Sequence, residues 1–151
     1  MATERTLFLV KPDAMQRGLS GEIIKRLESR GLKIVGLKLM QVTPAIAEKH
    51  YGEHKGKPFY KGLVDFITSS PIIAAVLEGT NAVEVVRATN GLTNPLKADP
   101  GTIRADFGLE TGRNLVHASD SPASAAREIK IFFKPSELVE WTRDTDRWVF
   151  E

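Results

Sequence analysis

The sequence predicts an α/β sandwich of the ferredoxin-like kind: a βαββαβ unit with a four-stranded antiparallel sheet and helices packed on it. Three observations point there. The chain has 151 residues, which suits one domain able to bury about 70% of its unfolded surface, so residues 1–151 are read as a single domain. Short apolar runs alternate with helical patterns in the order strand, helix, strand, helices, strand, helix, strand, helix. No repeat, low-complexity tract or linker interrupts that order.

The elements follow in turn. Residues 6–10, Thr-Leu-Phe-Leu-Val, are apolar on both faces and read as a strand covered on both sides. Ser20 is the expected cap of a helix over residues 21–30, with Ile23, Ile24 and Leu27 facing in and Gly31 ending it. Residues 33–42 form a second strand. Thr43-Pro44 starts a short helix that Gly52 ends, and Pro58 opens another with Phe59, Leu63, Phe66 and Ile67 at helical spacing. Residues 71–77 are a third strand. A helix over residues 81–89 stops at Asn90-Gly91, and residues 91–113 form a long loop, marked by the turns Asn94-Pro95 and Asp99-Pro100-Gly101. Residues 115–118 are the fourth strand, and residues 122–133 the last helix.

This pattern contains a tension. Helices on one face of the sheet should leave the other wet, yet the strands are apolar on both sides. Partner subunits or extra segments must cover the second face, so oligomerisation is expected from patterning. The 91–113 loop is longer than a compact domain usually carries without a function.

Composition narrows the chemistry. The chain has no cysteine, which removes disulfides, thiolate zinc clusters and thiol nucleophiles. A net charge of +2 gives nucleic acid no support as a partner. The polar start of the chain lacks a signal-peptide core, and no apolar run reaches the roughly 20 residues of a membrane span. A cytoplasmic protein is expected.

Residues 114–120, Asn-Leu-Val-His-Ala-Ser-Asp, carry the strongest signal. A short strand delivers His117 to a Ser-Asp-Ser-Pro cluster that can start a helix, and phosphate is readily held where helix N–H groups gather. A histidine at a strand end is commonly a packing residue. Here its neighbours are small, and Glu128 sits at the edge of the last helix's apolar stripe of Ala125, Ile129 and Phe132. A carboxylate on one imidazole nitrogen would orient the ring for attack by the other. His117 and Ser119, two apart on a strand, share a face. A Ser-His-Asp triad from His117, Ser119 and Asp120 is disfavoured, because sequence neighbours do not align in those roles.

Lys11 leaves the first strand directly before Pro12 and reads as a phosphate-binding cation on a rigid element. Arg87, near a helix C-terminus, and Arg104, in the long loop, are further phosphate candidates, since the guanidinium fork matches phosphate oxygens. Other patterns fail. Residues 52–58, Gly-Glu-His-Lys-Gly-Lys-Pro, are one residue short of a P-loop, and Pro58 replaces its Ser/Thr. His50 and His54 have the spacing of a helical zinc pair, but Gly52 breaks the helix between them. No protein metal site is expected.

The segments Thr6-Leu7-Phe8-Leu9-Val10-Lys11-Pro12-Asp13, 101–108 and 114–121 closely resemble those of nucleoside diphosphate kinases, and the resemblance extends over essentially the whole chain. It implies the same ferredoxin-like fold and transfer of the terminal phosphate of a nucleoside triphosphate, mainly ATP, to nucleoside and deoxynucleoside diphosphates. The route is ping-pong, through a phosphohistidine. His117 would be the nucleophile, with Glu128 and Ser119 orienting its ring and Tyr51 near the transferred group. Lys11, Arg87, Thr93 and Arg104 would bind phosphates, and Lys11 and Asn114 the ribose hydroxyls. Phe59 would stack on the base opposite Thr111, where many members carry a larger aliphatic residue. Mg2+ would bridge the nucleotide phosphates rather than sit in a protein cage. Pro95 and the tail over residues 147–151 resemble hexameric rather than tetrameric members.

The mechanism so implied needs in-line placement and charge neutralisation and a neutral imidazole, which the ordinary value of about 6.5 largely provides at pH 7. Base recognition by stacking alone would admit purines and pyrimidines alike. The competing reading is a nucleotide-binding regulatory or nucleic-acid-binding module on the same scaffold. It predicts no covalent intermediate and leaves the histidine, carboxylate and cations without a reason to coexist.

Overall fold

In strand β1 (Thr3–Val10), Leu7 and Leu9 point to one face and Phe8 and Val10 to the other, and all four are fully buried. A strand with this pattern must lie between two cores. The computed structural model, which describes residues 3–151, shows both of them. The first two residues of the polar start read above lie outside the described part.

The chain continues through α1 (Pro12–Gln16), α2 (Ser20–Ser29), β2 (Lys33–Met40), α3 (Pro44–His50), α4 (Tyr60–Ile67), β3 (Ile72–Thr80), α5 (Ala82–Asn90), α6 (Ile103–Phe107), β4 (Val116–Ala118) and α7 (Pro122–Phe132). The strands form one sheet in the order β2-β3-β1-β4, and every neighbouring pair is antiparallel. This is the predicted ferredoxin-like topology. A one-residue bulge interrupts the β2–β3 register between Ile34 and Gly36.

On one face Phe8, Val10, Ala75 and Leu77 pack with Ile23 and Leu27 of α2, Ala82 and Val86 of α5, and Ile103 of α6. On the other, Leu7, Leu9, Ala74 and Val76 pack with Ala47 of α3, Ile67 of α4, and Phe132 and Phe133 at the end of α7. The expectation of helices on a single face is therefore corrected. The chain's own α3, α4 and α7, the extra segments that the patterning allowed for, cover the second face over β1 and β3, while Leu37 and Leu39 of the edge strand β2 stay 50% and 66% exposed and keep the patterning argument for a partner there.

Several boundaries differ from the expected ones for local reasons. Ser20 does not cap α2: Leu19 is already in right-handed helical conformation, and its carbonyl accepts the Ile23 N–H, so Ser20 is the first helical residue. Asn81 likewise lies outside α5, at φ +53°, and Glu4 Oε1 of β1 accepts the Val83 N–H instead. α4 starts two residues beyond Pro58, at Tyr60. β2 ends at Met40, α3 ends at His50 before a short 3-10 turn at Gly52–His54, and β3 runs on to Thr80. Thr43 does cap α3, accepting the Ile46 N–H at 3.2 Å.

The 91–113 segment is not a plain loop. It holds 3-10 turns at Pro95–Lys97 and Thr111–Arg113, with α6 between them, capped by Thr102 through the Ala105 N–H. β4 begins at Val116 rather than Leu115, because Leu115 has φ +75°. The C-terminal segment runs beside β2: the Val139 N–H donates to Val35 O at 2.7 Å and Trp141 Nε1 to Ile34 O at 2.9 Å. Among the described residues, no helix is long and apolar enough to cross a membrane.

Candidate functional site

The site is built where β1 and β4 end side by side. His117 pairs with Leu9 across these strands, so the imidazole is carried by the sheet itself. Its neighbours Val116 and Ala118 are buried, while its own side chain is 28% exposed and faces a cavity of about 320 Å³. That volume lies in the range of small-ligand pockets.

α7 supplies the partner. Ser121 caps this helix, accepting the Ser124 N–H at 3.1 Å, and Pro122 takes its first position. Two turns on, Glu128 is buried on the inward stripe with Ala125 and Phe132. Its Oε1 lies 2.6 Å from His117 Nε2 and accepts the Ser119 hydroxyl at 3.2 Å. The ring is thus oriented through Nε2, and Nδ1 is left to act. Ser119, fully buried, touches the carboxylate from behind rather than lining the cavity, so no Ser-His-Asp relay exists here.

The cations come from three elements. Lys11 leaves β1, its backbone N–H donating to Leu115 O at 2.8 Å, and its ammonium donates to Asn114 Oδ1. Asn114 Nδ2 donates in turn to Thr93 O at 3.0 Å. Burial pulls the Lys11 ammonium down to about 8; Asp13 works against this, and Arg104 and Arg113 add to it. Arg104 of α6 donates from Nε to Asn114 O, from Nη1 to Gly91 O and from Nη2 to Val116 O, at 3.1, 3.0 and 2.7 Å. Its guanidinium therefore ties the loop to β4, with two of its five N–H groups left over. Burial, with Arg87 nearby, lowers it to about 10. Arg87, on α5, is exposed and lines the cavity.

This network rests on two left-handed backbone positions, one of them strained. Leu115, an aliphatic residue at φ +75°, occupies a conformation that costs roughly 1–2 kcal/mol. It is held from both sides: its N–H donates to Asp13 Oδ2 at 3.0 Å and its carbonyl accepts from Lys11. Gly91, at φ +86°, ends α5, and a Cβ there would meet Thr102 Oγ1 at 2.4 Å. Only glycine allows this approach.

Of the residues read from the sequence, the structure brings Lys11, Tyr51, Arg87, Thr93, Arg104, Asn114, His117 and Glu128 to one cavity. Burial pushes the Tyr51 hydroxyl up to about 12, with Glu128 adding to it. Phe59 and Thr111 do not line it. Both are exposed; Phe59 lies at the rim, its ring 5.3 Å from that of His54, which does line the wall.

Other wall residues went unread. Asp13, behind the wall as the acceptor of the Leu115 N–H, left only an acid after a strand-end proline as a signal. Asn90 is buried in the wall, and its amide has no protein partner. Asp120 lines the cavity with its carboxyl held below the ordinary range by hydrogen bonds from Ser124 and Ser121. His50 and His54 do not pair as i, i+4 ligands: His50 turns inward, its ring 4.7 Å from that of His117, while His54 stands by Glu53 at 3.7 Å.

Comparison with known proteins agrees with this geometry. Residues 4–138 match the family described as nucleoside diphosphate kinase. The chain is 58% identical over 148 residues to the nucleoside diphosphate kinase of Carboxydothermus hydrogenoformans, covering 98% of this chain and 99% of that one. It is 60% identical over 150 residues to that of Chloroflexus aurantiacus, with the same coverage. Among solved structures, a halophilic nucleoside diphosphate kinase from Halobacterium salinarum in complex with CDP superposes with a TM-score of 0.97 at 50% identity, covering 99% of this chain and all of that one. A nucleoside diphosphate kinase family protein from Babesia bovis gives 0.95 at 46% identity, with 97% and 99% coverage. The chain belongs to the nucleoside diphosphate kinase family: it is a phosphotransferase that maintains nucleoside triphosphate pools by passing a terminal phosphate from ATP to nucleoside diphosphates through a phosphohistidine.

Proposed function

We propose that His117 is the histidine that carries the phosphoryl group, with Lys11, Tyr51, Arg87, Thr93, Arg104, Asn114, Ser119 and Glu128 serving it. The observation that supports this most directly is the 2.6 Å contact of His117 Nε2 with the buried Glu128 at the wall of a cation-lined cavity. Nε2 donates to the carboxylate, which leaves the Nδ1 lone pair free. Nδ1 attacks the terminal phosphorus of a bound triphosphate; the P–N bond forms as the bridging P–O bond breaks, and the diphosphate leaves with that electron pair. An acceptor diphosphate then takes the same place. Its terminal oxygen attacks the phosphorus, the P–N bond breaks and His117 is regenerated.

Positive charge carries most of the remaining work, since phosphoryl transfer depends chiefly on placement and neutralisation. Lys11 and Arg87 face the equatorial oxygens, and Arg104 contributes its two remaining N–H groups while holding the loop. Lys11 and Asn114, already joined, reach the ribose hydroxyls. Phe59 offers its exposed ring to the base, with Thr111 opposite; stacking without base-edge hydrogen bonds gives broad base tolerance.

Mg2+ fits this site as a passenger of the nucleotide. It prefers oxygen ligands in octahedral array, and among the described residues the cluster of metal-ligating side chains is His50, His117 and Glu128, with two imidazoles. Glu53 and Asp120 line the same wall and are the carboxylates that would face such an ion when the nucleotide brings it in. When bound, it neutralises the phosphates that it bridges. At the level of assembly, the proposal is a homo-hexamer, supported by the resemblance of Pro95 and of the tail over residues 147–151 to those of hexameric members.

Intact mass after incubation with ATP and Mg2+ tests the assignment. One added phosphoryl group, discharged by a nucleoside diphosphate, is expected in the native chain and none in His117→Ala, whose transfer activity falls by at least about 10³-fold. Full transfer in that variant overturns it, and binding without phosphorylation of the native chain supports a regulatory module instead.

A further inference from the structure

His50 belongs to the cavity wall, yet the proposed chemistry leaves it idle. It ends α3, is only 5% exposed, and packs edge-on at 4.7 Å from the His117 ring and 5.2 Å from that of Phe132. Neither of its nitrogens has a hydrogen-bond partner among the described residues. A buried imidazole left unpaired is unfavourable, and such groups call for an explanation.

One donor atom each from His50, His117 and Glu128 lies within 4.8 Å of the others. Two imidazole nitrogens and one carboxylate oxygen, with a fourth direction open, are the donor set of many zinc sites. Here the open direction is the cavity. Imidazole suits zinc and its neighbours in the transition series, whereas magnesium prefers oxygen. Arg127 approaches the far oxygen of the carboxylate, Oε2, at 3.7 Å, which leaves Oε1 for a metal.

We propose that His50, His117 and Glu128 form an inhibitory site for a divalent metal of the zinc class, which holds the His117 imidazole through Nε2, withdraws electron density from Nδ1 and displaces the ring from its seat on Glu128, so that transfer slows. The inhibition rests on His117 being the carrier; the metal site itself does not. The exchange balances: the proton shared by His117 Nε2 and Glu128 Oε1 passes to solvent, and the metal takes its place with His50 as the third ligand. With zinc bonds of about 2.0–2.2 Å the donor atoms of a tetrahedral site stand roughly 3.3–3.6 Å apart, so the 2.6 Å contact of His117 with Glu128 opens to admit the metal while His50 draws in from within 4.8 Å. No electron transfer occurs and no covalent bond is broken. His50 is thereby given the partner that the free protein does not supply.

The test uses the full-length protein without nucleotide. Titration with Co2+ should give one equivalent of visible absorption of four- or five-coordinate intensity, and Zn2+ should displace it. His50→Phe keeps a ring against His117 and Phe132 but removes both nitrogens; it should weaken Zn2+ binding at least tenfold by calorimetry, while His54→Gln leaves it unchanged. Equal Zn2+ affinity in the native protein and His50→Phe overturns the proposal. Should His50→Phe not fold, anomalous scattering from a Zn2+-soaked crystal of the native protein decides: a peak among the three side chains supports the site, and a peak elsewhere or none overturns it. Phosphorylation of metal-free protein by MgATP is measured alongside. Its failure sinks the carrier role of His117, whereas phosphorylation with no metal at the three side chains sinks only the metal site.

Discussion

Lys11 is a lysine whose surroundings work against its charge. Burial brings it down to about 8, with Arg104 and Arg113 pushing the same way and Asp13 pushing back. The protonated form meets phosphate, so its contribution is complete below that value and lost as pH rises through it. The expected pH profile of kcat/KM therefore falls above about pH 8. Asp13→Asn removes the opposing charge and should move that falling limb to lower pH. A profile flat to pH 10 in the native enzyme contradicts the role given to Lys11. At this scale the sequence was informative for residues whose type announces their chemistry: Lys11, Arg87, Arg104 and His117 were all legible. Asp13 and Leu115 were not, because their importance lies in a backbone conformation at φ +75° that no residue name encodes.

Among the elements, α7 shows how local signals and packing combine. Ser121-Pro122 is a readable start, and the stripe of Ala125, Ile129 and Phe132 with Glu128 at its edge is a readable face, of which the structure buries Ala125, Glu128 and Phe132. Removing the cap with Ser121→Ala should cost about 1 kcal/mol of stability and lower Tm by about 2–4 °C, as measured by thermal unfolding; an unchanged Tm means that the Ser121 hydroxyl adds nothing. α6 shows the opposite case. A helix of five residues offers too short a period to detect, so residues 91–113 read as a loop. Yet α6 is what carries Arg104 to the carbonyls of Gly91, Asn114 and Val116. The missed start of α2 has a similar origin: a serine is a good cap, but Gly18, at φ +69°, has already turned the chain into helical conformation before Ser20 arrives.

For the molecule as a whole, the two cores on either side of β1 satisfy the central strands β1 and β3 without a partner. Large apolar groups that remain exposed include Leu37 and Leu39 of the edge strand β2, and Leu96 and Leu109 in the loop region and Trp148 in the tail, the last three each more than 70% exposed. Apolar groups of this size gain by association, which accords with assembly through the loop and tail. Light scattering should report six times the 16.7 kDa chain mass; a tetramer or dimer mass refutes the hexamer. The loop thus has two proposed duties, one toward the cavity through Arg104 and one toward neighbouring subunits through Leu96 and Leu109.

The order of strands and helices, the ferredoxin-like class and the identity of the main chemical groups were written in the chain, because hydrophobic period and residue type are local properties. The covering of the second sheet face was not, since it depends on where α3, α4 and α7 come to rest. Nor was the inward turn of His50, which sequence spacing offered only as a partner for His54. The contact of Glu128 with His117 was a reading of a helix face; the 2.6 Å between them follows from α7 packing against β1, to which β4 is joined through residues more than a hundred positions apart. Distances of that kind are properties of the packed chain, because they depend on the rigid placement of whole elements and not on any residue's own preference.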